Sequence, residues 1–240
     1  MAPQTSQALL DAASVSPDVF ALRPDYRALL IIVDNIPQGP SDADAASEAL
    51  LQAAEGSART KLAEQPVTEI PHIAAWREAY KAFGSKPTKF RNSVEALTRR
   101  AESGLPRVNR LTDIYNAISV KHSIPIGGED LDKYSGPAKL IRATGTEAFE
   151  VSAGGKIVVE HPDSGEVVWC DDQGVTCRRW NWRQGPRTAL DENTTRVLFI
   201  LDALAPLTDE ALGMAADELA EALQALSSEV QIRRRVISPA

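Results

Sequence analysis

Histidine, cysteine and long apolar runs are all scarce in this chain, and each shortage excludes something. The three histidines, His72, His122 and His161, are scattered, and Cys170 and Cys177 have a Cys-x6-Cys spacing that is not a zinc spacing. No metal and no cofactor is expected. A chain of 240 residues does not need a disulfide staple, so both thiols are expected to be reduced and buried. No apolar run approaches the roughly 18 residues of a membrane span. The longest strongly apolar stretch, residues 28–33, stops at Asp34. The start, Met1-Ala-Pro-Gln-Thr-Ser-Gln, has neither the basic nor the apolar part of a secretion signal, so a soluble cytoplasmic protein is expected. Gly-x-Ser-x-Gly, His-Glu-x-x-His and Gly-x-x-x-x-Gly-Lys are absent. Gly154-Gly155-Lys156 lacks the leading glycine and the following helix of a phosphate loop and reads as a turn.

The chain has ample apolar material, 43% of its residues, which is enough for one substantial core. A single domain is expected over 13–227, between a flexible N-terminus over 1–12 and a flexible basic tail over 228–240. The net charge of −7 argues against general affinity for DNA, which rests on many lysines and arginines neutralising phosphates. That charge is unevenly spread. Residues 77–110 carry nine bases (Arg77, Lys81, Lys86, Lys89, Arg91, Arg99, Arg100, Arg107, Arg110) against Glu78, Glu95 and Glu102, a local excess of 9 − 3 = 6. A basic island on an acidic body suits one particular anionic partner. A solvated helical face whose Lys and Arg stems cover the core accounts for the same pattern.

Strand-like runs occur at 19–22 and 26–33. Helices are expected from Ser41, acting as cap, to about residue 54, with a second piece to about residue 64, then over 71–84, 92–102 and 108–122. The chain then reads as loop around Gly127-Gly128. Strands follow at 139–143, 149–152, 156–160, 166–170, 175–184 and 195–202, and a long helix begins at Thr208. Helices cluster early and strands late, which gives an α+β fold with a mainly antiparallel sheet and helices packed against it.

One stretch has a composition that no ordinary core requires. Arg178-Arg-Trp-Asn-Trp-Arg183 packs two of the four tryptophans and three arginines into six residues, inside a strand expected over 175–184. Alternation places polar groups on both faces of that strand, so at least one face should line a cleft. Asp113 and Asn116 share a face of the 108–122 helix at a spacing of three. An arginine-bearing aromatic cleft beside a basic island is equipment for binding an anion together with a planar group. No nucleophile and base pair is evident, and the catalytic residues are unknown at this level.

Several motifs in order carry a resemblance: Trp76-Arg-x-x-Tyr80-x-x-Phe-Gly84, Ser93-x-Glu-Ala-Leu-x-x-Arg100, Leu111-x-Asp113-x-x-Asn116, Ile124-Pro-Ile-Gly-Gly-Glu-Asp130, Thr146-Glu147-x-Phe149, Gly165-Glu-Val-Val-Trp-Cys-Asp171 and Cys177-Arg-Arg-Trp-Asn-Trp-Arg-Gln184. Over about residues 19–203 the chain resembles the free-standing B3/B4 domain proteins. These are similar to the editing B3/B4 domain of the phenylalanyl-tRNA synthetase β subunit. The resemblance implies a cleft that receives the aminoacylated 3′ end of tRNA and a trans-acting deacylase that hydrolyses a wrongly attached amino acid. A non-catalytic module binding tRNA, another RNA or an amino acid is the alternative. On the first reading Arg178, Arg179 and Arg183 hold phosphate or carboxylate and Trp180 or Trp182 stacks on a ring. Asn116, Glu147, Asn181 and Gln184 then shape the amino-acid pocket. Tyr115 stands where the synthetase has a threonine, and Gly127 where it has a histidine. Aminoacylation itself is not expected, nor is a membrane or DNA partner.

Overall fold

Two antiparallel-dominated sheets face each other across a shared apolar layer, with helices covering the outer face of one and a separate hairpin packed on the outer face of the other. The computed structural model describes residues 4–39 and 45–239. The helices are α1 (Ser6–Ala12), α2 (Pro17–Leu22), α3 (Ala45–Glu64), α4 (Pro71–Ala82), α5 (Ser93–Arg100), α6 (Arg110–His122) and α7 (Asp209–Gln224). The strands are β1 (Ser14–Val15), β2 (Arg27–Asp34), β3 (Ile126–Asp130), β4 (Lys139–Arg142), β5 (Phe149–Ala153), β6 (Lys156–Glu160), β7 (Val167–Cys170), β8 (Val175–Arg178), β9 (Arg183–Gln184), β10 (Val197–Ala203) and β11 (Gln231–Ile237). Among the described residues, no helix is long and apolar enough to cross a membrane.

The first sheet has the order β11-β2-β10-β3 and is antiparallel throughout. Its inner strands β2 and β10 are apolar on both faces because both faces are covered. Leu29, Ile31, Val33, Phe199 and Leu201 pack under α6 and α7, whereas Leu30, Ile32, Leu198 and Ile200 face Leu140, Val167, Trp169 and Cys177 of the second sheet. That second sheet runs β1-β4-β7-β8-β9, parallel only at β1 and β4. The β5–β6 hairpin forms a separate two-stranded sheet.

The α+β class and the mainly antiparallel pairing hold, but several local expectations do not. Residues 19–22 lie in a helix and not a strand, because Pro17 at its first turn and Asp18 near its N-terminal dipole outweigh four apolar side chains. Residues 127–128 lie in β3 and not a loop. A side chain at Gly128 would stand 2.9 Å from the Phe199 ring and 3.0 Å from that of Tyr115, so glycine lets helix and strand close on this strand. Gly128→Ala is expected to destabilise the fold by about 1–3 kcal/mol in urea unfolding, by overpacking a filled site. The single strand expected over 175–184 is broken into β8 and β9. Where described, the end segments carry secondary structure: residues 6–12 are helical, and β11 pairs with residues 28–34 of β2. Arg235 anchors that strand on the carbonyls of Leu10 (2.7 Å) and Ala13 (2.8 Å). The cap expected at Ser41 lies outside the described residues.

Candidate functional site

The break between β8 and β9 creates the site. Cys177 pairs with Gln184 and Arg178 with Arg183, which leaves Arg179–Trp182 as a tight loop. Two bulky residues there, Arg179 (φ 47°) and Trp180 (φ 67°), take left-handed backbone. Such conformations cost on the order of 1–3 kcal/mol each and persist only where the surroundings impose them. Here Glu166, 2% exposed, imposes them. It accepts from Arg178 Nε at 2.9 Å and Nη2 at 2.8 Å, and from the Arg179 backbone N–H at 3.1 Å. The Trp180 N–H donates to the Val167 carbonyl at 2.6 Å. Its indole then packs edge-on against Tyr26 at 4.9 Å and Trp76 at 5.2 Å.

In front of the loop, between the two sheets, lies a cavity of about 240 Å³. The loop supplies Trp180, Asn181, Trp182 and Arg183, and β9 adds Gln184. From α5 come Ser93, Ala96 and Leu97, and from α6 Tyr115 and Asn116. The floor is β3 and β10, with Gly127, Glu129, Ile200 and Asp202. Of the residues singled out from sequence, Asn116, Trp180, Asn181, Trp182, Arg183 and Gln184 therefore share one cavity. The other three lie elsewhere. Arg178 and Arg179 are turned to Glu166, with Arg179 stacked on Phe90 at 3.7 Å. Glu147 closes its own turn, accepting from Thr144 N at 2.8 Å and Gly145 N at 3.0 Å.

Two buried carboxyls in the cavity escaped sequence reading. Asp202, on β10, accepts from the Tyr26 hydroxyl at 2.5 Å and from Asn181 Nδ2 at 3.1 Å. The Tyr80 hydroxyl in turn fixes Asn181 through Oδ1 at 2.9 Å. Burial pushes the Asp202 carboxyl up to about 7, against the pull of these donors. Glu129, on β3, accepts from the Tyr134 hydroxyl, from Thr188 at 3.2 Å and from Gln184 at 3.3 Å, and burial raises it as well. Leu198 sits opposite Glu129 in the sheet, so the two acids share a face and stand four residues apart along the strands, about 13 Å. Gly127, opposite Ile200, leaves its place on the floor to the Gln184 side chain, whose Nε2 lies 2.9 Å from where a Cβ would stand. The sequence did hold a signal, an aspartate ending an otherwise apolar strand. Its depth could not be inferred from that alone.

Other polar groups in the cavity are unsatisfied among the described residues. The Ser93 hydroxyl is buried without a partner, and Asn116, 7% exposed, forms no hydrogen bond within the protein. A buried hydroxyl without a partner is costly, and a ligand can supply the missing bonds to both residues. No acid–base nucleophile pair is assembled here. Burial pushes the Cys177 thiol well up. His72 lies outside the cavity as a neutral bridge, with Nε2 accepting from Trp76 at 3.2 Å and from the Leu204 backbone at 3.1 Å. Burial holds it down at about 4.

The basic island divides in two. Arg77 and Arg99 converge on the fully buried Glu95 at 2.8 and 3.0 Å, and Arg107 is taken up by Glu48 and Glu55. That half is structural. The other half includes Lys86 and Lys89, which line a separate surface pocket with Phe90, Asp163 and Arg179. Arg183, from β9 and outside the island, lines the cavity itself. Lys86, Lys89 and Arg183 are exposed and form no ion pair among the described residues. Lys89 lies over Phe90 at 4.9 Å, Phe90 meets Trp182 edge-on at 4.8 Å, and Arg183 lies 5.9 Å from the Trp182 ring.

Comparison with known proteins gives two findings. Residues 75–227, which include every cavity residue named above, match a family model described as "B3/4 domain". Among solved structures the chain is similar to an N-terminal fragment of the phenylalanyl-tRNA synthetase β-subunit from Pyrococcus horikoshii, with 14% identity and a TM-score of 0.45. The similarity covers 92% of this chain and 50% of that one, so this chain spans about half the length of the fragment. No curated protein matches.

Proposed function

Because this chain belongs to the B3/4 domain family, we propose that it acts on tRNA, taking the amino acid carried at the 3′ end into its cavity and releasing a wrongly attached one by hydrolysis. The observation that carries this reading is the size and finish of the cavity. At about 240 Å³ it lies below the several hundred Å³ of sites for drug-sized ligands, which suits one amino-acid moiety. It also holds a buried, unpartnered hydroxyl at Ser93 and is lined by Arg183, which forms no ion pair among the described residues.

On this reading Trp182 offers a half-buried ring on which a terminal base stacks, and Arg183, Lys86 and Lys89 meet phosphates. Asn116, Asn181 and Gln184 hold the aminoacyl group. Arg178 and Arg179 act through the loop they hold and do not touch the substrate. Water is the nucleophile: it adds to the ester carbonyl, the carbon–oxygen bond to the ribose breaks, and the ribose oxygen takes the proton. Such a step requires an oriented water and donors for the developing oxyanion, and no cysteine or histidine.

The test is a panel of mischarged tRNAs incubated with the protein, following loss of the aminoacyl group. Turnover of at least one member is expected. Binding of tRNA without turnover of any would leave a binding module. Absence of both would overturn the tRNA reading. Arg183→Ala is expected to weaken tRNA binding and to lower the salt dependence by about one phosphate contact, while changing stability by no more than about 0.5 kcal/mol. Binding titrations at several salt concentrations, with thermal melts alongside, check both halves.

A further inference from the structure

The β5–β6 hairpin carries a surface that the cavity does not use. Its outer strand β6, Lys156-Ile-Val-Val-Glu160, is exposed along its entire length, with Ile157 at 58%, Val158 at 46% and Val159 at 52%. Three consecutive exposed β-branched residues on an unpaired edge form a template for another strand. β5 is anchored to the body, since Phe149 and Val151 pack with Val168 and Val175. Among the described residues β6 pairs only with β5.

The geometry points to a second copy of this chain, paired antiparallel along β6 about a twofold axis at Val158. Two features select that occupant. The first is the hydrogen-bonding phase. Gly154 (φ 59°) and Gly155 (φ 76°) make a two-residue turn between the paired residues Ala153 and Lys156. The backbone groups of Lys156, Val158 and Glu160 therefore point to β5, and those of Ile157 and Val159 point outward. With the axis at Val158, Ile157 lies opposite Val159 of the other copy, so the outward groups of both strands meet and close four backbone hydrogen bonds. The second feature is charge. The same register sets Lys156 of each copy opposite Glu160 of the other, so the strand is complementary to itself. Lys156 forms no ion pair among the described residues, and Glu160, 48% exposed, reaches Arg178 at 3.3 Å. Two hairpins thereby become one four-stranded sheet, which is more stable than an isolated two-stranded one.

One strand pair is small for an interface, so the dimer is expected to depend on concentration. Sedimentation equilibrium of the whole chain, up to its solubility limit, should show the average mass rising towards twice the monomer. Lys156→Glu places like charges together twice and is expected to weaken the dimer about tenfold. The double variant Lys156→Glu/Glu160→Lys restores both pairs with signs exchanged and should recover it. Val159→Pro removes an outward N–H that no intramolecular bond uses, and should abolish the dimer while leaving the circular dichroism spectrum unchanged. A chain that stays monomeric at every concentration, or a dimer indifferent to Lys156→Glu and Val159→Pro, overturns the proposal.

Discussion

Glu166→Gln is expected to destabilise the protein by about 3–5 kcal/mol, the usual cost of removing one member of a buried ion pair and stranding the other. The site gives two reasons to expect the upper part of that range. Glu166 serves both Arg178 and Arg179, each 7% exposed at the side chain, so one substitution leaves two guanidinium groups without their main counter-charge. Its Oε1 also accepts the Arg179 backbone N–H that holds the left-handed start of the 179–182 loop. Glu160 and Asp163 contact the same arginines at 3.3 and 3.4 Å but are themselves 48% and 85% exposed, and water screens them. Urea unfolding measures the cost. A loss below about 1 kcal/mol would show that the pair does not hold the loop. Ligand binding should fail together with stability, because Trp180, Asn181 and Trp182 reach the cavity only through that loop.

The second large effect is expected to depend on pH. Burial raises the Asp202 carboxyl from 3.8 to about 7, so the folded state favours its protonated form. A raised carboxyl contributes stability that is full below its unfolded value and is lost as pH rises through the folded one. A displacement of roughly three units corresponds to about 4 kcal/mol between pH 4 and pH 8. Glu129, also raised by burial, adds loss in the same direction. Buried neutral His72, held down at about 4, has the opposite sign and gains stability as pH rises from 4 to 6.5. The wild-type curve alone therefore mixes these contributions. The clean readout is the difference between wild type and Asp202→Asn, which is expected to move in favour of the variant by up to about 4 kcal/mol from pH 4 to pH 8. A difference that does not change with pH would mean that Asp202 is not buried as a titrating acid.

Much of the fold could be read from periodicity and turn chemistry. The helices at 71–84, 92–102 and 108–122 announce themselves by Pro71, by Asn92 with Glu95, and by Leu111, Ile114 and Ile118. Asn92 and Asn109 do cap α5 and α6, each accepting a backbone N–H at 2.9 Å. What stayed hidden depended on tertiary contacts. Gly127-Gly128 reads as a loop until Tyr115, Phe199 and Gln184 are seen filling the space where side chains would be. The arginines of Arg178-Arg-Trp-Asn-Trp-Arg183 look alike in sequence, yet the left-handed turn at 179–180 sends two back to Glu166 and leaves only Arg183 at the mouth. Glu147 is polar and well placed in the chain order, but the nearest donors are those of its own turn. The Asp202 and Glu129 pair could not be found, because its definition is the register of β3 against β10, a long-range fact.

On the proposed function, an aminoacyl group occupies the cavity framed by Trp169, Trp180 and Trp182. The chain has four tryptophans, and the fourth, Trp76, lies behind Trp180 and outside the lining. The four indole N–H signals in a proton–nitrogen correlation spectrum therefore report on the cavity with an internal control. Titration with a non-hydrolysable 3′-aminoacylamido-adenosine is expected to shift the Trp169, Trp180 and Trp182 signals with one common saturation curve, and Trp76 least. Saturable binding that leaves the three cavity indoles unmoved, or no binding at all across a panel of aminoacyl groups, would contradict the account.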